Sequence, residues 1–92
     1  MPKYFRDKVA GCYIYYTKHC IVECMHAHAS NEELSEEGSA KLFVKSDGST
    51  VVQSFGSLNQ HELSVIQRYI KQHYIQMYEK WSLDSEMGFY EG

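Results

Sequence analysis

The stretch AKLFVKSDGSTVVQSFG, residues 40–56, decides the fold. It holds two runs rich in β-branched and apolar residues on either side of Asp47-Gly48, a dipeptide suited to a two-residue type I′ hairpin turn. With those two residues as the turn, Ser46 faces Ser49, Val44 faces Val51, Leu42 faces Gln53 and Ala40 faces Phe55. That register predicts one apolar face of Ala40, Leu42, Val44, Val51 and Phe55, interrupted only by Gln53. The other face carries Lys41, Lys45, Thr50 and Ser54, with Phe43 and Val52 paired across the strands.

Downstream the period changes from two to about 3.6. Asn59 and Glu62 have the spacing of a capping box, and Leu58 with Leu63 that of a hydrophobic staple. Leu63, Ile66, Ile70, Tyr74, Met77 and Trp81 then form one apolar stripe, predicting a helix over 59–82. At 1.5 Å per residue it would be roughly 36 Å long, enough to cross a small sheet and overhang it. The tail, 83–92, contains Leu83, Met87, Phe89 and Tyr90. Four large apolar residues in so short a segment predict docking, on the domain's own sheet or on another chain.

Upstream, GCYIYYT (residues 11–17) reads as a strand after an N-terminal segment, 1–10. A second apolar stretch runs from about Cys20 to Ala29, and alternation puts Cys24, His26 and His28 on one face of it. Residues 30–39 carry four glutamates and no cation, and read as an exposed loop with at most one helical turn capped by Asn31. The alternating Asp/Asn ligands of a calcium loop are absent from it. The expected architecture is α+β: one domain over 1–92, a three- to four-stranded antiparallel sheet in 11–56, and one long C-terminal amphipathic helix packed on one face.

Composition excludes some function classes. A net charge of −3 does not suit a general nucleic-acid binder. Even so, Lys3, Arg6, Lys8 and Lys18 against the single acid Asp7 leave room for a local basic N-terminal patch. The start, MPKYFRDK, has no apolar run, and no segment has the roughly 18 apolar residues of a membrane span. With three cysteines, Cys12, Cys20 and Cys24, the expectation is reduced thiols and a cytoplasmic location. Eight tyrosines suit a wet core edge or an interaction surface.

Chemistry has one candidate seat, His26-Ala27-His28. Residues i and i+2 of a strand share a face roughly 6.5–7 Å apart, so two imidazoles there could serve as metal ligands or as an acid–base pair. Cys24 is the nearest third ligand, with His19 and Cys20 preceding it. The spacing matches no ordinary zinc motif, and the commoner state of such a pair is two half-exposed histidines hydrogen-bonded on a sheet face. A cysteine nucleophile would need a depressed thiol pKa, for which no signal exists. His61 is in the first helical turn, where the helix dipole disfavours its positive form, and His73 beside the stripe reads as a cap on the core edge. There is no phosphate loop, nucleophile elbow or His-Glu-x-x-His, so no enzyme class is assigned. No cofactor is expected unless a divalent metal such as zinc occupies the histidine pair. The expected partner is a protein or a second copy, through Trp81, Met87, Phe89 and Tyr90.

The Tyr-rich first strand, the strand Met25-His26-Ala27-His28, the hairpin and the helix with Ile70, His73 and Trp81 together resemble the small bacterial family called domain of unknown function 4160. The ending MYEKWS (77–82), then Gly88-Phe89-Tyr90, is similar to its longer-tailed branch, associated with anaerobic gut bacteria. The resemblance covers about residues 10–92. It implies a cytoplasmic bacterial protein of unassigned activity, often encoded beside another small domain in arrangements like toxin–antitoxin or defence pairs. Met25 stands where the family usually has Pro, and the acidic segment near 31–38 is an insertion. Two functions therefore remain in view: an interaction module, and a metal-assisted hydrolase or ribonuclease using His26 and His28.

Overall fold

The computed structural model describes residues 3–17, 23–31 and 38–90. Four strands, β1 (Tyr13–Tyr15), β2 (His26–Ser30), β3 (Ala40–Val44) and β4 (Thr50–Ser54), precede one helix, α1 (Gln60–Asp84). The strands form one antiparallel sheet in the order β1-β2-β3-β4, each beside its neighbour in sequence. This is the α+β arrangement expected, with four strands. The strand core of 11–17 is confined to 13–15, and the helix runs two residues beyond 82. The acidic segment 32–37, and His19 and Cys20, lie outside the described residues.

The hairpin is real, but its register is one residue away from the two-residue turn. Lys45 N–H donates to the Ser49 carbonyl at 2.8 Å and Gly48 N–H to the Lys45 carbonyl at 2.9 Å, so the loop is Ser46-Asp47-Gly48. Val44 therefore faces Thr50, Phe43 faces Val51 and Leu42 faces Val52, before a bulge at Gln53 resets Lys41 opposite Ser54. A type I′ turn would need Asp47 at positive φ as well. Ala10 is the one non-glycine described residue there, and in this loop Gly48 alone carries it, at +88°. Because side chains alternate, the slip exchanges the faces of β4. Val52 and Thr50 turn inward, while Val51 and Phe55, expected in the core, are 37% and 47% exposed.

The inner face carries Ile14, Ala27, Ala29, Ala40, Leu42 and Val44, each with 0% of its surface exposed. Against it α1 lays Leu63, Ile66, Ile70, Met77 and Trp81, fully buried members of the stripe read from the sequence, while its sixth member, Tyr74, is half-buried. Alanines on β2 and β3 let the helix approach where larger residues would hold it off. The capping box forms as expected: Glu62 N–H donates to Asn59 Oδ1 at 2.8 Å and Asn59 N–H to Glu62 Oε1 at 3.0 Å. Three contacts fix the hairpin to α1. Lys71 Nζ donates to the Asp47 carbonyl at 2.8 Å, Gln67 Nε2 to Thr50 Oγ1 at 2.9 Å, and the Tyr74 ring lies against Gly48.

Both chain ends described are tied to the sheet. Val9 and Cys12 exchange hydrogen bonds of 2.7 and 2.9 Å around Ala10-Gly11, both at positive φ, making a tight turn that returns the chain into β1. Lys3 bridges to Tyr15, and Tyr4 N–H donates to the Ile14 carbonyl at 2.8 Å, so this segment lies along the outer edge of β1. At the other end the tail crosses the β2–β3 end of the sheet. Met25 N–H donates to the Gly88 carbonyl and Tyr90 N–H to the Val44 carbonyl, both at 2.9 Å.

Candidate functional site

Alternation along β2 puts Ala27 and Ala29 under the helix and turns His26 and His28 to the opposite face. Their ring centroids are 5.3 Å apart, edge to face. His26 Nδ1–H donates to the Cys24 carbonyl at 2.8 Å, which sets its tautomer. His28 Nδ1 shares a hydrogen bond of 2.9 Å with Ser39 Oγ, just before β3. Tyr15 packs beside His28 at 5.9 Å, and Phe43 and Trp81 lie 5.5 and 5.8 Å from His26. The imidazoles are enclosed by aromatic rings, and are 0% and 3% exposed rather than half exposed.

One charged pair borders them. Lys41, opposite His28 in the β2–β3 register, donates to Glu23 Oε2 at 2.8 Å, and that oxygen lies 3.6 Å from His26 Nδ1. The Lys41 hydrogen bond holds the Glu23 carboxyl below its ordinary pKa, with the charges of Lys41 and both histidines acting in the same sense against burial. Reading the sequence missed Glu23, Lys41, Tyr15 and Ser39. Strand pairing brings Lys41, Tyr15 and Ser39 to the histidines, and the β2–β3 register depends on a loop whose length leaves it open.

Cys24 contributes its carbonyl. Among the described residues no three of His, Cys, Asp and Glu gather as a group able to hold a metal ion. Cys12 is buried in the core, and burial, then Glu62, raises its thiol pKa, the opposite of an activated nucleophile. His73 borders the core, as expected: its Nδ1–H donates to the Tyr69 carbonyl at 2.9 Å, and its ring stacks on Tyr69 and meets Phe5 edge to face.

The residues expected to meet a partner are largely engaged within the chain. Trp81 is 0% exposed, packs on Tyr16 and donates from Nε1 to the Met87 carbonyl at 2.8 Å. Tyr16 in turn donates its hydroxyl to the Asp84 carboxylate, and burial followed by that carboxylate raises its pKa. Phe89 stacks on Tyr78 and Tyr90 on Phe43, each at 4.3 Å, while Met87 remains exposed. The tail thus docks on its own sheet.

The other exposed large apolar side chains among the described residues are Val51 on β4, Phe55 just beyond it, and Ile75 and Leu83 on α1. The N-terminal cations also have a place. Lys3 and Lys8 ammoniums sit 4.2 and 4.9 Å from the Tyr13 ring centre on β1, Arg6 is exposed, and Lys18 lies outside the described residues. No described helix is long and apolar enough to cross a membrane. Comparison with protein-family models, curated proteins and solved structures finds no match, so the family resemblance stands on the residues quoted for it.

Proposed function

We propose that this domain is a protein-interaction module that accepts an extended polypeptide along the outer edge of β4. One observation carries the reading. β4 is the terminal strand of the sheet, it exposes Val51, with exposed Phe55 just beyond it, and the chain from Gly48 to His61 contains no Lys, Arg, Asp or Glu. Sheet edges are normally defended by charge, proline or covering chain, because an open row of N–H and C=O groups invites another strand. A cytoplasmic setting accords with Cys12 and Cys24 being free thiols. The family resemblance would supply a partner from a neighbouring gene.

A photo-crosslinking residue at position 51, with one at exposed position 75 as control, tests the reading. Adducts to a second polypeptide from 51 and not from 75 are expected. Adducts from neither position would contradict it.

A second reading, a metal-assisted hydrolase or ribonuclease, rests on the adjacency of the His26 and His28 rings. Both rings are covered, so proton transfer to a substrate would require the covering to open. His28→Gln abolishing an RNA-cleaving activity with unchanged circular dichroism would support it. Full activity in that variant would remove it.

A further inference from the structure

Resting on the interaction-module reading, we infer that the occupant of this edge is β4 of a second copy, paired antiparallel about a two-fold axis at Val51. The hairpin loop fixes which backbone groups are free. Lys45 and Ser49 form a hydrogen-bonded pair, so by alternation Phe43 and Val51 form the next, and Thr50 and Val52 turn their N–H and C=O to the open side. An axis through Val51 sets Thr50 of each copy opposite Val52 of the other. Both residues then have outward donors and acceptors, giving about four new hydrogen bonds. Val51 meets Val51 in the non-hydrogen-bonded position, where side chains approach most closely.

Side chains and charge fit the same register. Val51 lies beside Phe43, on which Tyr90 stacks, so pairing joins two aromatic–aliphatic rows into one band across the axis. An isologous contact sets each patch against itself, so a charged edge would repel its own copy. Along β4 the register places Ser49 against Gln53 and Gly48 against Ser54, so no charged residue lies on the paired stretch. A second copy is the one partner whose edge is certain to share this uncharged pattern. The bulge at Gln53 interrupts the β3–β4 ladder, so the regular part of β4 is centred on Val51.

Sedimentation velocity of the full chain over about 5–500 µM tests this, a range spanning ordinary weak dimer affinities. Wild type is expected to shift from monomer to dimer. Val51→Lys and Val51→Glu, both at an exposed position, should each weaken dimerisation at least tenfold with unchanged far-UV circular dichroism. Their equimolar mixture should recover the dimer. Wild type that stays monomeric throughout overturns the inference, whether or not the charged variants fold. So does a wild-type dimer that survives Val51→Lys. A monomeric wild type that still crosslinks from position 51 to a different polypeptide overturns self-pairing and leaves the module reading standing; no adduct at all overturns both.

Discussion

The two edges of the sheet are treated oppositely by the same chain. Outside β1 the segment Lys3–Tyr4 covers the strand: Tyr4 N–H takes the Ile14 carbonyl, and its hydroxyl donates to the His26 carbonyl at 2.8 Å. Lys3 and Lys8 then spread positive charge over Tyr13. Outside β4 the described residues provide neither cover nor charge. The first described residues close one edge and no described residue closes the other, and each prediction below changes one side of that contrast.

The largest effect is expected from uncovering the guarded edge. Tyr4 is 4% exposed, and Tyr4→Ala should cost about 3 kcal/mol in urea denaturation while making the protein aggregate through β1. Tyr4→Phe keeps the ring and loses the hydroxyl bond, at about 1 kcal/mol without aggregation. Equal losses in the two variants would mean that the hydroxyl, not the cover, holds the edge.

Next comes the anchor of the open edge. A Cβ at Gly48 would lie 2.6 Å from Tyr74 Cδ1 at a φ of +88°, so Gly48→Ala should cost about 2 kcal/mol. Tyr74→Leu in the same chain should recover part of that loss, as a double-mutant cycle would show. Full additivity would break the link between hairpin tip and helix.

A smaller effect, of opposite sign, is expected at the turn that returns the covering segment. Ala10 adopts φ +53°, and Ala10→Asn supplies the Asn-Gly pair that a type I′ turn favours. Stability should rise by about 0.5–1 kcal/mol, or about 2–8 °C in Tm. A fall would show that this turn is shaped by contacts rather than by its dihedrals.

The smallest concerns pH. The Glu23 pKa is depressed, chiefly by Lys41, so its contribution is present above the ordinary value of 4.5 and is lost as pH falls through the folded value. The carboxylate is 49% exposed, which limits the effect to a few tenths of a kcal/mol. Lys41→Met should flatten that part of the stability profile below pH 4.5. An unchanged profile would remove the ion pair from the account.

Local signals were legible in the sequence wherever one residue type settles one backbone state. Asn59 and Glu62 announced the helix start, the stripe from Leu63 to Trp81 gave its buried face, and Asp47-Gly48 marked a hairpin. The register was not legible, because an Asp-Gly pair suits both a two-residue type I′ turn and a three-residue loop whose glycine alone takes positive φ. Tertiary contacts chose between them: Tyr74 on Gly48, Lys71 on the Asp47 carbonyl and Val52 beneath the helix. The pairing of His26 with His28 on one face followed from period two. Their enclosure by Tyr15, Phe43 and Trp81 joins residues far apart in the chain, and no local pattern encodes it.

The open β4 edge is tested most directly by amide hydrogen exchange of the wild-type chain at low and high protein concentration. The account predicts that Thr50 and Val52 amides exchange fast when dilute and become protected together as concentration rises, while Ile14 and Tyr15 stay unchanged. Rapid exchange of Thr50 and Val52 at every concentration, or protection already complete at the lowest, would contradict it.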